Sequence, residues 1–172
     1  RHQGEPGWDA LKGALTRHAE GPGLFVDRGA NLARVLGLVA GSWRRAVRLL
    51  EGEPESTADL HELRLALKHC RYALEPVADI APKASARLMR RLRNAQDCIG
   101  EHRDTLLAAH WVQSTERLLG RELSARLVVD LERRERVLRL RAAKRSRKVL
   151  ESWRDWREAT RRVRKAAKSG RA

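Results

Sequence analysis

From Leu60 to Glu75 the chain reads LHELRLALKHCRYALE, and two stripes run through it one place apart. Leu60, Leu63, Leu67, Cys70 and Leu74 keep the spacing of an apolar seam, while His61, Arg64, Lys68 and Arg71 each follow a seam residue directly. One residue is about 100° of helical rotation, so the polar row borders the buried seam instead of lying opposite it. A solubilising charge face would lie on the far side of an amphipathic helix. The row therefore marks the rim of a groove suited to an extended anion.

The same period recurs along the chain. A short helix is predicted over Trp8 to Ala19, closed by the breaker EGPG at Glu20–Gly23. Leu32, Val35, Leu36, Val39, Trp43 and Val47 predict a second helix from about Asp27 to Leu50. After the interruption EGEPE, Ser56 stands three residues before Asp59 as a helix cap. That helix is expected to reach about Ala78, with Pro76 kinking or ending it. Pro82 suits the first turn of the next helix, which Gly100 is expected to stop after Ile99. A further helix from Glu101 to Leu119 ends at Gly120. The last runs from Arg121 to near Trp156, with a seam at Val128, Leu131, Leu138, Ala142, Val149, Trp153 and Trp156, then a fraying basic tail. Nothing alternates with period two. The expected fold is all-α, a bundle of about six helices with a long basic C-terminal helix.

Charge sharpens this picture. The formal net charge is +15 over 172 residues. Residues 1–86 hold 12 basic against 11 acidic residues, whereas residues 87–172 hold 25 against 11. Such asymmetry points to a polyanionic partner: nucleic acid, polyphosphate or an acidic membrane surface. Cys70 and Cys98 fall at helical, apolar positions and read as buried, reduced thiols in a cytoplasmic protein. No apolar run approaches the roughly 20 residues needed to span a bilayer.

The spacing His-x-x-Arg-x-x-x-Lys-x-x-Arg-Tyr-Ala-x-Glu from His61 resembles the CHAD family, the conserved histidine α-helical domain. LRNAQDCIGEHRD at Leu92–Asp104 is similar to that family's second motif, and the likeness extends over roughly Ala30 to Trp156. The resemblance implies two four-helix repeats around a basic cavity, inorganic polyphosphate as ligand and association with polyphosphate granules. It implies that His61, Arg64, Lys68 and Arg71 form the anion-binding row, with Arg93 at the family's basic position and Asp97 and Asp104 at its acidic ones. Arg90 is a further candidate for the anion site, and Asp97 and Asp104, which would repel a phosphate, are expected to orient arginines. On this basis residues 1–56 correspond to the end of a truncated first repeat, 57–156 to one four-helix repeat, and 157–172 to a disordered basic tail. Either the chain is a fragment, or it completes its cavity as a homodimer.

Along the last helix, Arg141, Lys144, Arg145 and Lys148 run beside the seam as a second candidate row. Polyphosphate offers repeated charge but no base to stack, so a ladder of arginine forks suits it. The rival is nonspecific nucleic-acid binding, carried by charge alone. Single-strand binders need aromatic platforms within the basic groove, yet Trp43, Trp111, Trp153 and Trp156 occupy seam-like positions and leave only Tyr72. No C-x-x-C or compact histidine pair supports a zinc site, and no phosphate loop is present. Neither catalysis nor a cofactor is predicted.

Overall fold

The computed structural model describes residues 28–52 and 56–169. The expected helix at Trp8–Ala19, its breaker, the last three residues of the EGEPE linker and the last three of the chain lie outside this range. Five α-helices follow in order: α1 (Arg28–Glu51), α2 (Thr57–Leu74), α3 (Pro82–Ser114), α4 (Glu116–Leu119) and α5 (Arg121–Lys168). A 3₁₀ segment, Glu75–Ile80, joins α2 to α3. The described residues contain no strand, and the fold is an all-α bundle.

Local chemistry explains most of the boundaries. Ser56 Oγ accepts the Asp59 N–H at 3.1 Å, and Asp59 Oδ2 accepts the Ser56 N–H at 3.0 Å, forming a reciprocal cap at the start of α2. Pro76 has no N–H to continue α2, and the chain tightens into six residues of 3₁₀ helix that bury Val77. Pro82 opens α3 at its first turn, where a missing N–H costs nothing.

Two expected boundaries differ. Gly100 does not stop a helix; α3 passes through it to Ser114. The buried face of Leu92, Ala95, Ile99, His102 and Thr105 keeps helical spacing across Gly100. Packing along that face outweighs the roughly 1 kcal/mol that glycine costs in a helix interior. Gly120 does act as a boundary, with φ +82°, and α5 starts at the next residue. At its other end α5 runs beyond Trp156 to Lys168. Thr160 is buried there, with its hydroxyl donating to the Trp156 carbonyl at 3.0 Å.

Four helices form a square in cross-section. α1 packs on α2, α2 on α3, α3 on α5 and α5 on α1, so α1 lies diagonally across from α3. All five seam residues of α2 are buried, joined in the core by Val39, Trp43, Leu88, Leu92, Leu138, Val149 and Trp156. Trp43 stacks on Trp153 with centroids 4.1 Å apart, and Trp153 stacks on Trp156 at 5.2 Å, which binds α1 to α5. Trp156 Nε1 donates to Ser85 Oγ at 3.0 Å, tying α5 to α3.

Past His102 on α3 and before Leu138 on α5, the two helices continue as an arm. Only Thr105, Val112 and Ser124 are buried within it. Trp111, placed by its spacing at a seam, is 60% exposed on this arm.

Candidate anion-binding groove

The helical period carries the α2 row out of the core as the sequence predicts. His61 and Lys68 are exposed, and Arg64 and Arg71 are half-buried. Residues at these spacings climb α2 by about 5 Å per step, at 1.5 Å per residue. The row faces α3: Arg64 Nε lies 3.9 Å from the point a Cβ on Gly100 would occupy. Gly100 thus leaves room for a guanidinium beside the helix backbone.

Arg71 is held on two sides. Its guanidinium lies 4.9 Å from the centroid of the Tyr72 ring, and Nε is 3.9 Å from Glu75 Oε1. Lys68 Nζ approaches the same ring at 5.8 Å. Tyr72 and Glu75 therefore pack and pair, and the tyrosine face is engaged by cations.

Three donors along this groove are buried without a hydrogen-bond partner: Arg64 Nε, Arg71 Nε and Gln96 Nε2. Gln96 stands one turn before Gly100 and so shares its side of α3. Buried donors normally find acceptors. Here the unmet groups are all N–H, which suits a ligand that offers only oxygen acceptors.

At one end the groove deepens into a pocket of about 360 Å³ lined by Ala58, Leu60, His61, Arg64, Ile99, His102 and Arg103. His102 is 1% exposed, and its Nε2 lies 2.8 Å from Glu135 Oε1 of α5. Gln96, His102 and Arg103 were not assigned to the site from sequence. All three stand in or beside the Leu92–Asp104 motif. Reading Gly100 as a stop hid the continuous face that brings them to α2.

The other predicted residues divide around α3. Arg93 lies two turns before Gly100, on the α2 side. On the other flank, Arg145 Nη1 of α5 donates to the Asn94 carbonyl at 2.8 Å, and Arg90 sits one turn before Asn94. Asn94 and Gly100 are about 120° apart around the helix. Arg90, Arg141, Arg145 and Lys148 therefore form a second row, separated from the first by the solvent face of α3. Lys144 is exposed and lies about 40° around α5 from Lys148, at the outer margin of the second row. Asp97 and Asp104 are both exposed on α3.

Both cysteines are buried free thiols. Cys70 Sγ lies 3.7 Å from the Ser42 carbonyl and Cys98 Sγ 3.6 Å from that of Leu138. Burial pushes both thiols above their ordinary range; at Cys98 nearby Arg145 and Arg141 pull the other way without overcoming it. Among the described residues no three His, Cys, Asp or Glu side chains could hold a metal ion. No described helix is long and apolar enough to cross a membrane.

These features define a helical domain with a cationic, donor-rich groove between two antiparallel helices. The CHAD domain family matches residues 2–113, well over half of the chain, and the chain belongs to that family. CHAD domains are associated with polyphosphate binding. The match begins well before Ala30 and ends before α5, so the Arg141–Lys148 row lies outside it. No curated protein and no solved structure matches the chain.

Proposed function

We propose that the protein is a noncatalytic polyphosphate-binding module whose primary site is the α2–α3 groove. The observation that carries this reading is the set of buried N–H groups on Arg64, Arg71 and Gln96 that have no hydrogen-bond acceptor. An inorganic polyphosphate presents an unbroken row of anionic oxygens, and arginine forks meet such oxygens in pairs. His61, Lys68, Arg93 and Arg103 extend the same surface. The second row, with Arg90, Arg141, Arg145 and Lys148, is an accessory track for a long chain that wraps around α3. Residence at polyphosphate granules follows from such binding.

Nucleic acid is the competing ligand. Tyr72, the aromatic beside the groove, already meets two cations, so no free ring is offered to an unstacked base. The deciding measurement is competition between long-chain polyphosphate, duplex DNA and single-stranded DNA at matched phosphate and salt. Polyphosphate is expected to displace both. Arg64→Glu combined with Arg71→Glu is expected to lower polyphosphate affinity at least a hundredfold with unchanged helical circular dichroism. Retained affinity would refute this groove as the site, and preference for DNA would refute the ligand.

A further inference from the structure

On the opposite side of the square from the α2–α3 groove, α1 and α5 form a trough among the described residues. It has two lobes, of about 240 Å³ and 940 Å³, that share Gly37, Ala40, Trp153 and Arg157. From Ala33 to Arg48 it follows α1 for about 22 Å at 1.5 Å per residue. Along α1 the floor has a strip of small residues, Ala33, Gly37 and Gly41, recurring every fourth position, flanked by Leu36, Ala40 and Val47. A Cβ placed on Gly37 would meet nothing within 4 Å.

The rim has a different character. Arg44 and Arg48 line it from α1, and Arg157, Arg161 and Arg164 from α5. None of the five pairs with a carboxylate among the described residues, although neighbouring Arg45, Arg154 and Arg162 all do. Trp43 stands in the wall of the trough, wholly buried, and its indole N–H has no acceptor. Arg157 lies over the Trp153 ring, 6.0 Å from its centroid. An apolar floor, five arginines without a carboxylate partner and an unmet donor thus occur together.

The chemistry of the floor selects the ligand. A bare polyphosphate has no apolar surface and gains nothing from Gly37, Ala40 and Trp153. A nucleobase would need an open aromatic face, but Trp153 is 4% exposed, stacks with both Trp43 and Trp156 and is covered by Arg157. A helix, by contrast, seats a ridge of side chains along a strip of small residues repeated every four positions. Carboxylates on the flanks of that helix would meet the arginine rim, in the helix-in-groove mode of recognition.

We propose that the α1–α5 trough is a docking site for an acidic amphipathic helix of a partner protein, separate from the polyphosphate groove. The probe is a labelled 18-residue peptide with leucine and alanine on one face and glutamate on its flanks. Its control has the same composition, scrambled to destroy the amphipathic face. The full chain is expected to bind the probe at least tenfold more tightly than the control. Gly37→Leu fills the strip without removing a charge, and a leucine favours the helix over glycine. It is expected to weaken the probe at least tenfold while leaving polyphosphate affinity and thermal midpoint within experimental scatter. Arg157→Glu with Arg161→Glu should weaken the probe as much.

Equal binding of probe and scrambled control, or an unchanged affinity in Gly37→Leu, would reduce the trough to a nonspecific charge patch and overturn the proposal. Loss of polyphosphate binding in Gly37→Leu would overturn it too, by assigning the trough to that ligand. A benzophenone amino acid in place of exposed Arg44, which lines the trough, reports the occupant directly. Cross-linking to the peptide supports the proposal, whereas cross-linking to residues 1–27 or to a second copy despite excess peptide refutes it.

Discussion

Arg64 and Gly100 work as a pair. The guanidinium lies against the wall of α3, where the facing position leaves room for no more than a Cβ beside it. Two effects therefore compete in any substitution at Gly100: helix propensity favours a side chain, and the groove excludes a large one. For Gly100→Ala the first dominates, since a contact of 3.9 Å is ordinary van der Waals distance. The exchange is expected to stabilise the protein by about 1 kcal/mol, raising the thermal midpoint by about 2–4 °C, with polyphosphate affinity unchanged. Gly100→Leu is expected to keep most of that gain while displacing Arg64 and weakening polyphosphate binding about tenfold, close to 1.4 kcal/mol. Calorimetry on both variants separates the two effects. If Gly100→Leu binds normally, Arg64 does not need that wall.

At the scale of elements, two glycines that look alike in sequence behave oppositely. Each follows an apolar residue at the end of a helical pattern, yet Gly100 lies mid-helix and Gly120 ends one. The difference lies in the flanking faces. The stripe through Leu92, Ala95 and Ile99 finds its next buried positions at His102 and Thr105, whereas Gly120 joins α4 to α5 in a positive-φ conformation. With φ +82° and ψ 147°, Gly120 occupies a region that side chains avoid at a cost of about 1–3 kcal/mol. Gly120→Ala is expected to lose that amount in urea unfolding, with no change in ligand binding; an unchanged midpoint would mean the turn relaxes. Period and capping made α1, the start of α2 and the seam of α5 legible, because local chemistry sets them. The helical end at Lys168 was hidden beneath a basic composition that resembles a solvated tail. The α2 row was legible for the same local reason. Its partners Gln96, His102 and Arg103 were not, because they depend on how α3 is laid across α2.

At the scale of the whole molecule, the square arrangement separates two cationic surfaces. The α2–α3 groove lines its unmet N–H groups along a polar wall, while the α1–α5 trough sets arginines above an apolar floor. Net charge of +15 alone cannot distinguish them; the floors do. Each surface also spans a helix pair in which one member is diagonal to a member of the other pair. Occupation of one surface leaves the other open, so polyphosphate and an acidic helix need not compete.

The arm formed by α3 and α5 has a consequence for how the molecule breathes. Around Leu63, Leu92, Val149 and Trp156 the amides are shielded by four helices, so exchange there requires global opening. Between Thr105 and Glu135 two helices share a thin interface with three buried residues, and local fraying suffices to expose a peptide group. Hydrogen–deuterium exchange should therefore divide α3 within one continuous helix, slow up to about His102 and faster beyond it, with α5 dividing near Leu138. Uniform protection along α3 would show that the arm unfolds together with the bundle. If the division holds, His102 and Glu135 mark the end of the cooperative unit, and their hydrogen bond is the last clasp before the polypeptide becomes free to unzip.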